Sequence, residues 1–318
     1  MSAHRSGGTL RGDPVSDTTT KVRRRTAGDD APSISLPDSQ GQTVSADYSA
    51  NAATVVVFTS NGCPYALAWH DRIQQIAMDY DERGVQLVQI VSNDGELQPK
   101  DSLEGMRVRV AAGEVAGTYL KDVQQSVTAS FGATATPEVF VVDADGVIRY
   151  HGAPDGNHDD PTQDAKFVRD ALESVLVGEP VHRPTTSPAG CSVKWRVELL
   201  WYDGCPSHGA AETLLTECLT EIGRTDVRVD RVQVSSPEQA ASRSFPGSPT
   251  FQVGGSDLFA VDAPSALACR TYQHPDGRIS PLPSKEDLIA QLRDALARPW
   301  DLPGWHDFRA ASRPTAGA

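Results

Sequence analysis

The tripeptide Gly-Cys-Pro occurs twice, at Gly62-Cys63-Pro64 and at Gly204-Cys205-Pro206, and each copy follows an apolar run. Upstream of the first, Thr54-Val55-Val56-Val57-Phe58 has the length and β-branching of a strand buried on both faces. Residues 195–202 predict a strand upstream of the second. Proline suits the first position of a helix, and residues 65–82 carry Leu67, Ile73, Ile76, Ala77 and Tyr80 at near-helical spacing. A cysteine held between a strand and a helix aims its sulfur at the unpaired N–H groups of the first turn, where the helix dipole favours thiolate over thiol. Thiolate is the nucleophile, so Cys63 and Cys205 are candidate reactive residues.

The rest of the chain predicts the same order of elements twice. After the first helix come a strand at 85–91, helices near 102–112 and 122–131, Thr136-Pro137, and strands at 139–142 and 147–150 joined by the turn Asp143-Ala144-Asp145-Gly146. An amphipathic helix at 163–177 closes the unit. The strand–helix–strand start implies a parallel pair with a right-handed crossover. The second unit has a helix to about 222, a strand at 227–234, a short helix at 237–244, Ser248-Pro249, a strand at 250–253 and a final helix at 284–297. These patterns divide the chain into a disordered leader at 1–30, a first domain at 31–179, a Pro/Thr/Ser linker at 180–194 carrying Cys191, a second domain at 195–298 and a tail at 299–318. The tail is expected to be an appended, partly ordered segment, with docking of its Trp300 and Trp305 on a domain or partner as the alternative.

At 318 residues each half is long enough to bury its own core, and no run approaches the ~18 apolar residues of a membrane span. The formal charge of −13 disfavours nucleic acid and anionic lipid as partners. Five cysteines, an odd number with no Cys-x-x-Cys pair, do not make a secreted disulfide framework. Arg23-Arg24-Arg25 is followed by Thr26-Ala27-Gly28-Asp29-Asp30 where an export signal needs an apolar stretch, so the expected location is cytoplasmic. Cys218, beside Leu214, Leu215 and Leu219, is expected in the core. The histidines lack metal-ligand spacing and there is no glycine-rich phosphate loop, so no cofactor is expected.

Residues 32–195 resemble the peroxiredoxin-like branch of the thioredoxin superfamily, the alkyl hydroperoxide reductase and thiol-specific antioxidant group. The resemblance is carried by Asn61-Gly62-Cys63-Pro64-Tyr65, Ser92-Asn93-Asp94, Gly132-Ala133-Thr134-Ala135-Thr136-Pro137 and Gly190-Cys191-Ser192-Val193-Lys194-Trp195. It implies that Cys63 is the peroxidatic cysteine and that Ser60 contacts the peroxide. It also implies that Pro137, and Pro249 in the second unit, are cis, face the active cysteine and leave the backbone of Thr136 or Ser248 free to pair with substrate. Residues 195–297 resemble small thioredoxin-fold proteins loosely labelled alkylmercury lyase, through Trp201-Tyr202-Asp203-Gly204-Cys205-Pro206-Ser207, Phe245-Pro246-Gly247-Ser248-Pro249-Thr250 and Leu267-Ala268-Cys269-Arg270-Thr271-Tyr272. That resemblance makes Cys205 and Cys269 a candidate redox or soft-metal pair.

The expected architecture is α/β: two tandem thioredoxin-like domains, each a mixed central sheet flanked by helices. The expected function is a thiol-dependent oxidoreductase in which Cys63 attacks a peroxide or disulfide. A second thiol then resolves the product, Cys191 first because a flexible linker brings it within reach, Cys205 second. A thioredoxin-type protein is the expected reductant. The alternatives are soft-metal or organomercurial handling by Cys205 and Cys269, or a thioredoxin-fold module that binds without turnover.

Overall fold

The computed structural model describes residues 24–301. A short hairpin, β1 (Ser35–Pro37) and β2 (Thr43–Ser45), leads into β3 (Ala53–Thr59), α1 (Pro64–Tyr80), β4 (Val85–Val91), α2 (Leu103–Ala111), β5 (Thr118–Lys121) and α3 (Ser126–Phe131). Next come β6 (Ala135–Thr136), β7 (Glu138–Asp143), β8 (Ile148–Gly152) and α4 (Phe167–Leu176). The central sheet has the order β5-β4-β3-β7-β8, with β3 parallel to β4, β4 parallel to β5, and β7 antiparallel to both β3 and β8.

The valine run of β3 is buried on both faces, as expected. Val55 and Val57 pack with Trp69, Ile73 and Ile76 of α1 and Val168 and Leu172 of α4. The alternate residues Val56 and Phe58 pack with Phe131 of α3, Phe140 and Val142. A strand's period of two distributes one apolar run between two helical layers in this way. Phe58, Phe131 and Phe140 meet edge to face with centroids 5.0–5.7 Å apart, a geometry that the ring quadrupole favours.

The second half begins with β9 (Cys191–Ser192), followed by β10 (Arg196–Trp201), α5 (His208–Glu221), β11 (Arg228–Gln233), α6 (Pro237–Ser242), β12 (Thr250–Val253) and β13 (Ser256–Asp257). It ends with β14 (Tyr272–Gln273), β15 (Ile279–Ser280) and α7 (Lys285–Ala295). Its own sheet runs β11-β10-β12-β13, with a parallel β10–β11 pair and antiparallel neighbours. Val197, Leu199, Phe251 and Val253 pack on one face with Leu215 of α5 and Leu288 and Leu292 of α7. Cys218 is fully buried in the same cluster, as expected.

Two expectations need correction. Residues 24–30 are bonded to the first sheet: Arg25 N–H donates to Phe131 O (3.0 Å), Gly28 N–H donates to Ile148 O (2.8 Å), and Asp30 bridges Val147. Residues 1–23 of the expected leader, like Trp305 and the side chain of Trp300, lie outside the described residues. The linker is also not a free tether. His151 N–H donates to Pro184 O and Thr186 N–H donates to His151 O, both at 3.0 Å, while β9 pairs antiparallel with β6. Strand edges carry backbone groups that need partners, and the Pro/Thr/Ser composition of a segment says nothing about whether it supplies them.

Gln125 joins the halves. Its side-chain amide donates to Ser92 O (2.8 Å) and Lys194 O (2.9 Å) and accepts from Arg196 N–H (2.8 Å). Trp195 lies across Gly254, where a Cβ would sit 2.6 Å from the indole ring.

Candidate functional site

Cys63 is the N-cap of α1, in extended conformation, with Pro64 as the first helical residue. It therefore sits where the helix presents unpaired N–H groups, as the Gly-Cys-Pro motif predicts. The side chain is buried, 2% exposed. Its sulfur lies 2.8 Å from Thr136 O, so the neutral thiol donates to that carbonyl.

Cys191 is the second sulfur of the site. β9 places it opposite Thr136 in the β6 register, the same residue whose carbonyl the Cys63 sulfur meets. The neighbouring Cys191 thiol is the largest influence holding the Cys63 thiol well below its ordinary 9.0, at about 6; burial opposes it, and the Thr136 side chain and the Ala66 backbone amide assist. Cys191 is pushed up by the neighbouring Cys63, by its own burial and by the charge Cys63 carries once ionised. The two titrate as a pair. Cys63 is the partner that ionises, because it alone has the helix terminus. On ionisation its bond to Thr136 O is lost and the Cys191 thiol becomes the donor.

The loop before Cys63 is held by residues that the sequence motifs do not show. Asp101, fully buried, accepts from Asn61 N–H (2.5 Å) and from the Asn93 side-chain amide (2.8 Å). Asn61 Oδ1 accepts from the Tyr119 hydroxyl (2.6 Å) and an Arg109 guanidinium N–H (3.1 Å). Burial pushes the Asp101 carboxyl up, while Ser60, the Asn61 amide, Asn93 and the buried Lys121 favour its charge. Ser60, expected to meet the peroxide, is buried with its hydroxyl accepting from Gly62 N–H at 3.2 Å. It is thus engaged in shaping the turn into Cys63.

Thr136-Pro137 and Ser248-Pro249 are both cis. Glu138, immediately after Pro137, fixes the first of these loops. One carboxylate oxygen accepts from Thr134 N–H (2.7 Å) and Ala135 N–H (2.9 Å), and the other lies 2.6 Å from His151 Nε2.

The Cys205 site is built differently. Gly204, at φ +84°, bends the chain into a turn closed by Cys205 N–H donating to Tyr202 O at 3.2 Å. α5 then starts only at His208, with Ser207 as its N-cap. The expectation that Pro206 opens the helix is therefore corrected: a second turn intervenes, and Cys205, though buried, does not cap the helix. His208 Nδ1 donates to Cys205 O at 2.8 Å. Cys269 is exposed, with its sulfur 3.5 Å from the Tyr202 hydroxyl, and it bridges Ser248. No hydrogen bond joins the Cys205 and Cys269 thiols. Among the described residues there is no group of three or more His, Cys, Asp or Glu side chains that could hold a metal ion, and no helix is long and apolar enough to cross a membrane.

Residues 26–167 match the family Redoxin. No curated protein matches the chain. Among solved structures, a hypothetical protein from Sinorhizobium meliloti 1021 is 32% identical, over 54% of this chain and 96% of that one, with a TM-score of 0.51. An uncharacterized conserved protein from Geobacillus kaustophilus is 33% identical over 53% of this chain and 92% of its own, with a TM-score of 0.49. A peroxidoxin from Mycobacterium tuberculosis is 16% identical over 50% of this chain and 98% of its own, with a TM-score of 0.36.

Proposed function

We propose that the chain, whose residues 26–167 match the family Redoxin, is a thiol-dependent oxidoreductase working through a Cys63–Cys191 dithiol. The observation that supports the reading is the residue the two cysteines share: the Cys63 sulfur lies 2.8 Å from Thr136 O, and the β6–β9 pair sets Cys191 opposite Thr136.

The Cys63 thiolate attacks one oxygen of a hydroperoxide. The O–O bond breaks, the leaving oxygen takes a proton, and Cys63 becomes a sulfenic acid. The Cys191 thiol then attacks that sulfur, an S–S bond forms and water leaves. With a disulfide substrate, Cys63 forms a mixed disulfide and expels one thiolate, and Cys191 displaces the second thiol. Both routes deliver two electrons and end in a Cys63–Cys191 disulfide. An external dithiol, of thioredoxin type, regenerates the pair: its first thiolate attacks Cys191, the more exposed of the two residues, and expels Cys63 as thiolate, and its second thiol then displaces Cys191 and closes the reductant's own disulfide. The lower the pKa of a thiol, the better it leaves. This cycle needs a reducing compartment, and we place the protein in the cytoplasm.

Turnover is the test. Cys63→Ser loses all reduction of hydroperoxide and of small disulfides coupled to a dithiol reductant. Unchanged turnover by that variant would refute the reading.

A further inference from the structure

The backbone flank of β6 is a place where an extended polypeptide can offer a sulfur to Cys63. Thr136 O lies 2.8 Å from the Cys63 sulfur, so a chain pairing along Ala135–Thr136 brings its side chains past that sulfur. Such an edge with free N–H and C=O groups captures extended peptides by strand addition. Here the flank is taken by the chain itself. Cys191 pairs opposite Thr136 and Ser192 opposite Ala135, and Val193 N–H donates to Thr134 O at 3.0 Å. The fit is close: a Cβ on Gly190 would stand 2.2 Å from Thr136 O, a backbone atom that cannot swing aside.

The segment is pinned on both sides. Downstream, Lys194 N–H donates to Asn93 Oδ1 (2.8 Å), and Lys194 O accepts from Asp94 N–H (3.1 Å). Upstream, Thr186 is bonded to His151. The second half repeats the arrangement with the opposite strand sense: Ser248, the residue before Pro249, donates to Ala268 O (2.8 Å) and accepts from Arg270 N–H (2.9 Å), flanking Cys269.

We infer that residues 190–193 are a built-in strand filling the polypeptide edge of the Cys63 site, so that Cys63 reacts directly with small oxidants and is closed to extended peptide disulfides, with Gly190 as the residue that lets this strand lie so close. The inference rests on Cys63 being the reactive thiol of the proposed oxidoreductase. With a small disulfide, the Cys63 thiolate bonds one sulfur, the S–S bond breaks and the other sulfur leaves as thiolate. With a peptide disulfide the same step needs β9 to leave first.

The experiment uses the full-length reduced protein and three oxidants: hydrogen peroxide, 2-hydroxyethyl disulfide, and an extended peptide carrying one cysteine disulfide-bonded to 2-mercaptoethanol. Intact mass and peptide mapping read the adducts on Cys63. In Cys191→Ser, which keeps the backbone pairing and traps the mixed disulfide, the small disulfide forms its adduct at least about tenfold faster than the peptide. Gly190→Ala, which dislodges the strand, speeds the peptide reaction by about tenfold, the scale expected for losing one or two backbone hydrogen bonds. Equal rates for peptide and small disulfide in Cys191→Ser would overturn the inference. Hydrogen exchange of the unaltered protein decides the matter should Gly190→Ala not fold: protection of the Cys191 and Val193 amides, unchanged by added peptide, supports the built-in strand, and free exchange overturns it. A Cys63 inert to all three oxidants would instead refute the oxidoreductase reading, and the exchange measurement would still judge the strand.

Discussion

Replacing Cys191 with alanine removes the thiol that most strongly holds Cys63 ionised, and the size of the effect follows from the site. A Cys63 pKa of about 6 instead of 9.0 corresponds to about 4 kcal/mol of preference for the thiolate. At pH 7 such a thiol is about nine-tenths ionised, and one at the ordinary value only about one part in a hundred. The Thr136 side chain and the Ala66 amide stay in the variant, but so does the burial that opposes ionisation. The Cys63 midpoint should therefore rise by about two pH units or more. Because intrinsic nucleophilicity increases with pKa, a full rise to 9.0 lowers the alkylation rate only about fourfold at pH 7 and about fortyfold at pH 5. Iodoacetamide labelling across pH 4 to 10, resolved by mass at the Cys63 peptide, gives the midpoint directly. A midpoint that stays near 6 in Cys191→Ala would refute the account, because the helix terminus and Thr136 would then be sufficient to ionise Cys63.

Asp101→Asn sets an amide N–H against either Asn61 N–H or the Asn93 amide, which now donate to the two carboxylate oxygens. The expected cost is about 1–3 kcal/mol in denaturant unfolding, together with slower alkylation of Cys63. The depressed Cys63 pKa also makes stability depend on pH. Between about 6 and the unfolded thiol value near 8.5 the folded protein has released a proton that the unfolded chain keeps, so stability rises with pH by up to about 1.4 kcal/mol per unit and that gain is lost as pH falls through 6. The difference in unfolding free energy between the reduced protein and Cys63→Ser should follow this slope, and a flat difference from pH 6 to 8 would contradict it.

The first sheet was legible because a strand buried on both faces writes itself as an unbroken valine run, and β3 does so at Val55-Val56-Val57. Cys63 was legible because strand, glycine, cysteine and proline are neighbours in sequence, so local chemistry sets its place at the helix terminus. The same motif misplaced the start of α5, since the left-handed Gly204 and the turn it closes depend on more than the tripeptide. Cys191 was a candidate by sequence, yet its role as a strand was invisible: two residues have no periodicity, and pairing with β6 is a tertiary event. Asp101, Arg109 and Tyr119 were missed because they reach Asn61 from elements far along the chain, and no spacing rule connects them.

The most direct test of the central claim is a map of all five cysteines after the reduced protein meets one equivalent of hydrogen peroxide. The account predicts that Cys63 oxidises first and that its peptide is recovered disulfide-bonded to the Cys191 peptide, with Cys205, Cys218 and Cys269 still reduced. Recovery of Cys63 as a free thiol, or joined to Cys205 with Cys191 untouched, would contradict it.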